Sequence, residues 1–209
     1  MDFGPEQTVH GSPWGRMHGG YFSDPEVAKP LIEAVREACA LSRPGVVVDL
    51  GGGTGFLLSR LRESGGGGMA RLVDLDASVA QLEEARAQRL TAIEGTVGGF
   101  RRRDIAVEGE SVMWLMRSVL HYAGEEGLGP LLKHVRAQAA EGERWVHQTA
   151  CFERGEDASC LNELYRRMRT GKWYPTVAGL RSCLERTEWR VEDIRPAAAL
   201  PLESDELGM

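Results

Sequence analysis

The sequence lacks most of the features that would place it at a glance. No stretch of its 209 residues approaches the roughly 20 consecutive apolar residues that a membrane helix needs. Its opening residues, MDFGPEQTVHGSPWG, have neither the basic region nor the apolar core of a secretory leader, so a cytoplasmic protein is expected. Positive charge is scarce as well. There are 25 Lys and Arg against 31 Asp and Glu, a formal charge of -6, which gives no general attraction to nucleic-acid backbones or anionic membranes. The four cysteines, Cys39, Cys151, Cys160 and Cys183, form no C-x-x-C pair and no Cys/His cluster, so they read as reduced thiols rather than zinc ligands. Carboxylates clustered for a catalytic Mg²⁺ are missing too, and no metal is expected. Nor is there an internal repeat, so residues 1–209 are read as a single domain.

Glycine, by contrast, is in excess, with 26 residues where average usage of about 7% would give roughly 15. Eight of them fall in two clusters, Gly51, Gly52, Gly53 and Gly55, and then Gly65 to Gly68. Their meaning depends on what flanks them.

Ser23-Asp24-Pro25 is a helix start, followed by Val27, Leu31, Val35, Ala38 and Leu41 at helical spacing. Val46-Val47-Val48 is a β-branched run without alternation, as in a strand buried on both faces. Helical spacing returns at Phe56, Leu57 and Leu61. A second strand is expected at Leu72–Leu75, and Ser78 to Gln81 is a capping-box pattern opening a helix to about Leu90. Further strands are expected at Thr91–Val97, Val112–Met116 and Arg144–Thr149, with a helix at Leu128–Ala140. Helices are then expected at Ser159–Arg169 and Thr176–Arg186. Two closing strands, Trp189–Ile194 and Ala197–Leu202, complete the pattern. Such alternation predicts an α/β, Rossmann-like, seven-stranded and mostly parallel sheet with helices on both faces.

The segment from Val46 to Leu57 is thus a buried strand entering a glycine turn and then a helix, a natural place for a nucleotide-like ligand. A phosphate loop is excluded because G-x-x-x-x-G-K-[ST] is not met, and the dinucleotide fingerprint fails because Phe56 stands at its third glycine. What remains is G-x-G-x-G at Gly51, Gly53 and Gly55, with Asp49 two residues ahead. The second cluster, Gly65-Gly66-Gly67-Gly68-Met69-Ala70, fits G-x-G-x-x-A literally, but it follows a helix and precedes a strand, the reverse of the required context. It reads as a flexible helix-to-strand loop.

The stretch Val46 to Leu57 resembles the first motif of the class I S-adenosylmethionine-dependent methyltransferases. The resemblance continues in Asp74-Leu75-Asp76-Ala77-Ser78, where the spacing to Ala85 places Asp76, rather than Asp74, as the acid that holds the ribose hydroxyls. It continues again in Val97-Gly98-Gly99-Phe100, in Arg117-Ser118-Val119-Leu120-His121 and in Trp189-Arg190-Val191. The ordered set covers about residues 45–195. It implies S-adenosyl-L-methionine as cofactor, bound by Asp49, Gly51, Gly52, Gly53, Gly55, Asp76, Ala77, Gly99, Phe100 and Arg117. The family has an acid where Gly99 stands, so adenine recognition is expected to rest on backbone near Phe100 and on apolar contact.

Methyl transfer from a sulfonium is an in-line displacement, so the protein must align the acceptor, exclude water and sometimes remove a proton. His121, just past the fourth strand, is read either as a general base or as a hydrogen-bonded structural histidine, with Tyr122 as a second catalytic candidate. His147, inside the fifth strand, is assigned to substrate binding or to the core. Residues 1–24, with Arg16 and Tyr21, read either as a lid or as a frayed terminus with packing aromatics. Residues 151–175 form an expected substrate cap between strands five and six. Within Leu164–Tyr174 four cations meet no acid, and Arg166, Arg169, Trp173 and Tyr174 are read as binding a small aromatic or carboxylate-bearing acceptor, or else as a solvated basic helix face.

No N-P-P-Y-like segment follows the fourth strand and no binding domain is appended, so a nucleic-acid substrate is not expected. Arg101-Arg102-Arg103 is a short solvated run. The expected function is methyl transfer to a small-molecule acceptor, at oxygen or nitrogen, by a monomer or homodimer. Two alternatives stay open: a cofactor-binding regulatory relative without methyl transfer, and an enzyme that uses another part of the cofactor, by aminocarboxypropyl transfer or cyclisation.

Overall fold

Asp24 accepts the Glu26 N–H at 2.8 Å and Pro25 takes the first helical position, so α1 (Pro25–Ser42) begins where the Ser-Asp-Pro signal predicts. The computed structural model describes residues 22–197. After α1 come β1 (Val46–Leu50), α2 (Phe56–Glu63), β2 (Arg71–Asp76), α3 (Val79–Ala87) and β3 (Thr91–Glu94). A single-turn helix α4 (Arg102–Ile105) leads to β4 (Val112–Arg117), a 3₁₀ turn at Leu120–Ala123, α5 (Gly124–Gln138) and β5 (Arg144–Gln148). Two helices, α6 (Gly155–Met168) and α7 (Val177–Arg186), follow.

The strands form one parallel sheet in the order β3-β2-β1-β4-β5, with Val48 level with Val73 on one side and Trp114 on the other. Every residue of β1 and β4 is buried, which accounts for their unbroken apolar runs. Alternation divides the core in two. Val46, Val48, Leu50, Trp114 and Met116 face α4, α5 and α7, whereas Val47, Met113 and Leu115 face α1 and α2. Under the first face, Glu143 accepts from Arg102, from the Val112 N–H at 2.7 Å and from the Trp114 indole at 3.1 Å, tying α4, β4 and the start of β5 together.

The expectation of seven strands is corrected to five among the described residues. Trp189–Ile194 forms no ladder with β5. It docks through side chains instead: the Trp189 indole donates to the Leu132 carbonyl at 3.3 Å, its ring packs 5.2 Å from that of Trp145, and Glu192 pairs with Arg144. These contacts anchor the segment without aligning its backbone on the sheet edge. The other expected strand, Ala197–Leu202, lies outside the described residues except for Ala197. The segment expected to cap the site, residues 151–175, contains α6 and an irregular return stretch that is pinned by Asn162, whose amide accepts the Tyr174 N–H and donates to the Tyr174 carbonyl. Its end is bridged to Phe152 at Thr176.

Candidate active site

Sheet order reverses between β1 and β4, and a cleft of about 280 Å³ opens at that point, above the carboxyl ends of the strands. Its floor is the turn after β1. Gly51, Gly53 and Gly55 all hold left-handed backbone, at φ of +76°, +64° and +79°, a conformation that side-chain-bearing residues adopt at a cost. Gly52 is required for a different reason, since a Cβ there would lie 2.7 Å from Asp74 Oδ1 and 2.9 Å from Asp49 Cγ.

Three aspartates converge on this floor. Asp76, at the end of β2, accepts the Gly53 N–H at 3.1 Å and the Ser78 N–H at 2.7 Å, so its carboxylate is held beside the turn at the cleft wall. Asp49 also lines the cleft although its own surface is fully buried, and burial pushes it up to about 7 against the pull of Arg117. Asp74 lies beneath Gly52, opposite Asp49 in the sheet, and burial together with the neighbouring Asp49 raises it to about 9. No group of three or more His, Cys, Asp or Glu among the described residues is arranged to hold a metal ion.

The facing wall comes from β4 and the turn beyond it. Arg117, only 7% exposed, donates to the Phe22 carbonyl at 3.2 Å and lies over the Phe22 ring, which lines the cleft. Ser118 is held at φ +55° while its N–H bonds the Gln148 carbonyl, a strained turn beside the cleft. Tyr122 reaches the cleft, and burial with the nearby Tyr165 pushes its phenol up to about 12, so it is a neutral hydroxyl at physiological pH.

Behind Tyr122, the His121 ring stacks on Tyr174 at 5.1 Å, and the Trp173 N–H donates to the His121 carbonyl at 3.0 Å. The structure therefore brings His121, Tyr122, Trp173 and Tyr174 together. It adds Lys172, which sits buried over the rings of Tyr122 (5.2 Å) and Tyr165 (5.5 Å) and is lowered to about 8 by burial.

Other expected residues lie elsewhere. Phe100 is buried in the core, 5.7 Å from the Trp114 ring and edge-on to His134, and Gly99 is exposed beyond it. The wall at that end of the cleft is Gly95, Thr96 and Val97 instead. His147 bonds Thr149 through Nδ1 at 3.0 Å and packs against Trp145, with burial lowering it to about 4. Arg166 and Arg167 both pair with Glu163, on the outer face of α6, and Arg169 is the exposed left-handed cap of that helix. Glu163 stands one residue before the window that looked free of acids. Arg16 and Tyr21 lie outside the described residues, as does nearly all of the expected lid at 1–24.

Sequence reasoning passed over Phe56, Gln81, Thr96, Val119 and the pairing of Asp74 with Asp49. Gln81 is the one with a local signal, because it occupies the last position of the capping box and its Oε1 would lie 2.8 Å from a Cβ at Gly53. The second glycine cluster is a turn between α2 and β2, as its context predicts. A hollow of about 310 Å³ beside it lies at the opposite, amino ends of the strands.

No protein-family model matches the chain, and no curated protein matches it. Its fold does match solved structures. One is a chain from the Haloferax volcanii complex between the Trm112 methyltransferase activator and a protein described as a methyltransferase, with a TM-score of 0.63, 18% identity, and 95% of this chain and 81% of that one covered. Another is the mitomycin 7-O-methyltransferase MmcR, with a TM-score of 0.63, 21% identity and coverage of 94% and 58%. A third is human N-acetylserotonin methyltransferase in complex with S-adenosylmethionine, with a TM-score of 0.61, 16% identity and coverage of 90% and 54%. The chain therefore spans a little over half the length of the latter two. At these identities the likeness shows a shared fold, the class I methyltransferase fold.

Proposed function

We propose that this chain is an S-adenosyl-L-methionine-dependent methyltransferase that modifies a small-molecule acceptor at oxygen or nitrogen. The observation that carries the reading is the floor of the cleft, where left-handed glycines leave bare backbone beside two acids of different exposure. That floor fits the cofactor. A Cβ at Gly52 would press on Asp49 and Asp74 beneath the turn, and the Asp49 carboxylate oxygens have no hydrogen-bond partner among the described residues while bordering the cleft. Asp76 would accept from the ribose diol, since one carboxylate can take both hydroxyls. Asp49 would face the cationic amino group, and Gly95 to Val97 would border the adenine. The cofactor supplies an electrophilic methyl on a sulfonium.

The remaining work belongs to the acceptor wall. Tyr122, as a neutral phenol, can donate a hydrogen bond that orients the acceptor but does not serve as a base near neutrality. His121 supports Tyr122 from behind through ring contact at 4.1 Å. Lys172, buried over the Tyr122 ring, would lend its positive charge to the acceptor wall from behind Tyr122. Phe22, Phe56 and Tyr122 give the cleft aromatic surface that would limit water around a bound acceptor. No helix among the described residues is long and apolar enough to cross a membrane.

Calorimetry with S-adenosylmethionine and S-adenosylhomocysteine, followed by product analysis on a panel of phenols, carboxylic acids and amines, tests the reading. Binding of both with methylated product supports it. Absence of binding to either sinks it, and binding without transfer to any acceptor favours a cofactor-binding protein that does no methyl chemistry.

A further inference from the structure

Beneath the glycine turn, two buried carboxylates lie side by side. The pairing of β1 with β2 sets Asp49 opposite Asp74, and both are fully buried. Strand alternation puts them on the same face as Val47, above α1 and α2. Gly52 lies directly over the pair. None of the four carboxylate oxygens has a hydrogen-bond partner among the described residues. Only Asp49 borders the cleft.

Among the described residues, the charged groups acting on the pair are few. Arg117 on β4 acts on Asp49, and Asp76 at the end of β2 acts on both. The glycine turn and the first turn of α2, Phe56 to Ser59, bring no titratable side chain, and the buried face of α1 is apolar apart from Cys39. One nearby arginine cannot neutralise two adjacent buried carboxylates and Asp76 as well, and like charges in so apolar a setting do not ionise together.

We propose that Asp74 keeps its proton through the neutral range and donates it to Asp49, making Asp74 a positioning residue that holds the Asp49 carboxylate toward the cleft for a ligand's aliphatic ammonium group. This rests on the cofactor reading above. It explains why an acid sits where it reaches no ligand: a neutral carboxylic acid is a hydrogen-bond donor that adds no second charge. Asp74 titrating higher than Asp49 agrees with that division of roles.

The test uses the full chain with S-adenosylhomocysteine, which carries the same amino group without the sulfonium. Asp74→Asn retains a donor without charge and is expected to bind within about twofold of wild type. Asp74→Ala loses the donor and is expected to bind about tenfold more weakly, the usual scale for losing a hydrogen bond to a charged group. Equal weakening by Asn and Ala would overturn the proposal, because it would mean that an ionised Asp74 is needed. So would wild-type affinity in Asp74→Ala. A ligand-free measurement separates this proposal from the function: infrared spectra near pH 7 should show a protonated-carboxyl band that Asp74→Asn removes, and absence of that band in wild type overturns the proposal even if Asp74→Ala fails to fold. Failure of wild type to bind S-adenosylhomocysteine with the band present would count against the cofactor reading alone.

Discussion

Asp76 accepts the Gly53 N–H at 3.1 Å across 23 positions of sequence, so the acid that ends β2 is tied to the turn that follows β1. One side chain thereby orders the cleft floor and borders the cleft. Asp76→Ala is expected to weaken S-adenosylhomocysteine binding by tenfold or more, and Asp76→Asn by less, because an amide keeps one acceptor. Isothermal calorimetry on the two variants checks both the direction and the ranking.

Binding and stability should respond to pH in opposite senses. A bound ammonium favours ionised Asp49, so affinity should fall as pH drops below about 7, by up to tenfold per unit. For stability without ligand, Asp74 has a folded value near 9, raised above the ordinary value of about 4. A raised group contributes stability that is fully present below about pH 4 and is lost as pH rises through about 9. Asp74→Asn removes that loss. It is expected to melt higher than wild type at pH 9, with the advantage shrinking steadily toward pH 4 in a series of thermal melts.

Gly55 and Gly65, one from each glycine cluster, should differ in their tolerance of alanine. At Gly55 a Cβ would lie 2.3 Å from Leu90 Cδ1 and 3.2 Å from the Ala85 Cβ, on backbone already at φ +79°. Gly55→Ala is expected to cost about 2–4 kcal/mol, combining left-handed strain with overpacking. Gly65→Ala meets nothing within 4 Å and carries only the backbone strain, about 1–2 kcal/mol. Urea unfolding of both variants tests the order, and equal losses would contradict it.

Among the cations of the 164–174 segment, Lys172 and not the arginines is expected to matter for turnover. Lys172→Met should lower acceptor methylation about tenfold or more while leaving S-adenosylhomocysteine affinity unchanged. Arg166→Ala, which removes an exposed pair with Glu163, should leave both unchanged and shift stability by no more than about 1 kcal/mol. A variant panel assayed for both readouts distinguishes the two, and unaltered turnover in Lys172→Met would remove Lys172 from the acceptor wall.

Local chemistry was legible in advance. Asp24 and Ser78 cap the helices they precede, the valine run is the central strand, and the first glycine cluster is the cleft floor while the second is a connecting turn. Asp76 rather than Asp74 borders the cleft. Each of these depends on residues within a few positions of one another, where dihedral preference and hydrogen-bond reach suffice.

What only the tertiary structure decided are matters of distance across the fold. Phe100 is drawn into the core by Trp114 and His134, which leaves Gly95 to Val97 at the cleft. Trp189 is held by Leu132 and Trp145, so its segment packs beside the sheet rather than extending it. Lys172 is buried because Tyr122 and Tyr165, from separate parts of the chain, converge on it, while its neighbouring arginines find Glu163 on the outer face of their own helix. Asp49 and Asp74 are 25 residues apart and become a pair only through strand register. Burial and charge coupling depend on everything that surrounds a group, and a linear pattern carries only the part of those surroundings that lies nearby along the chain.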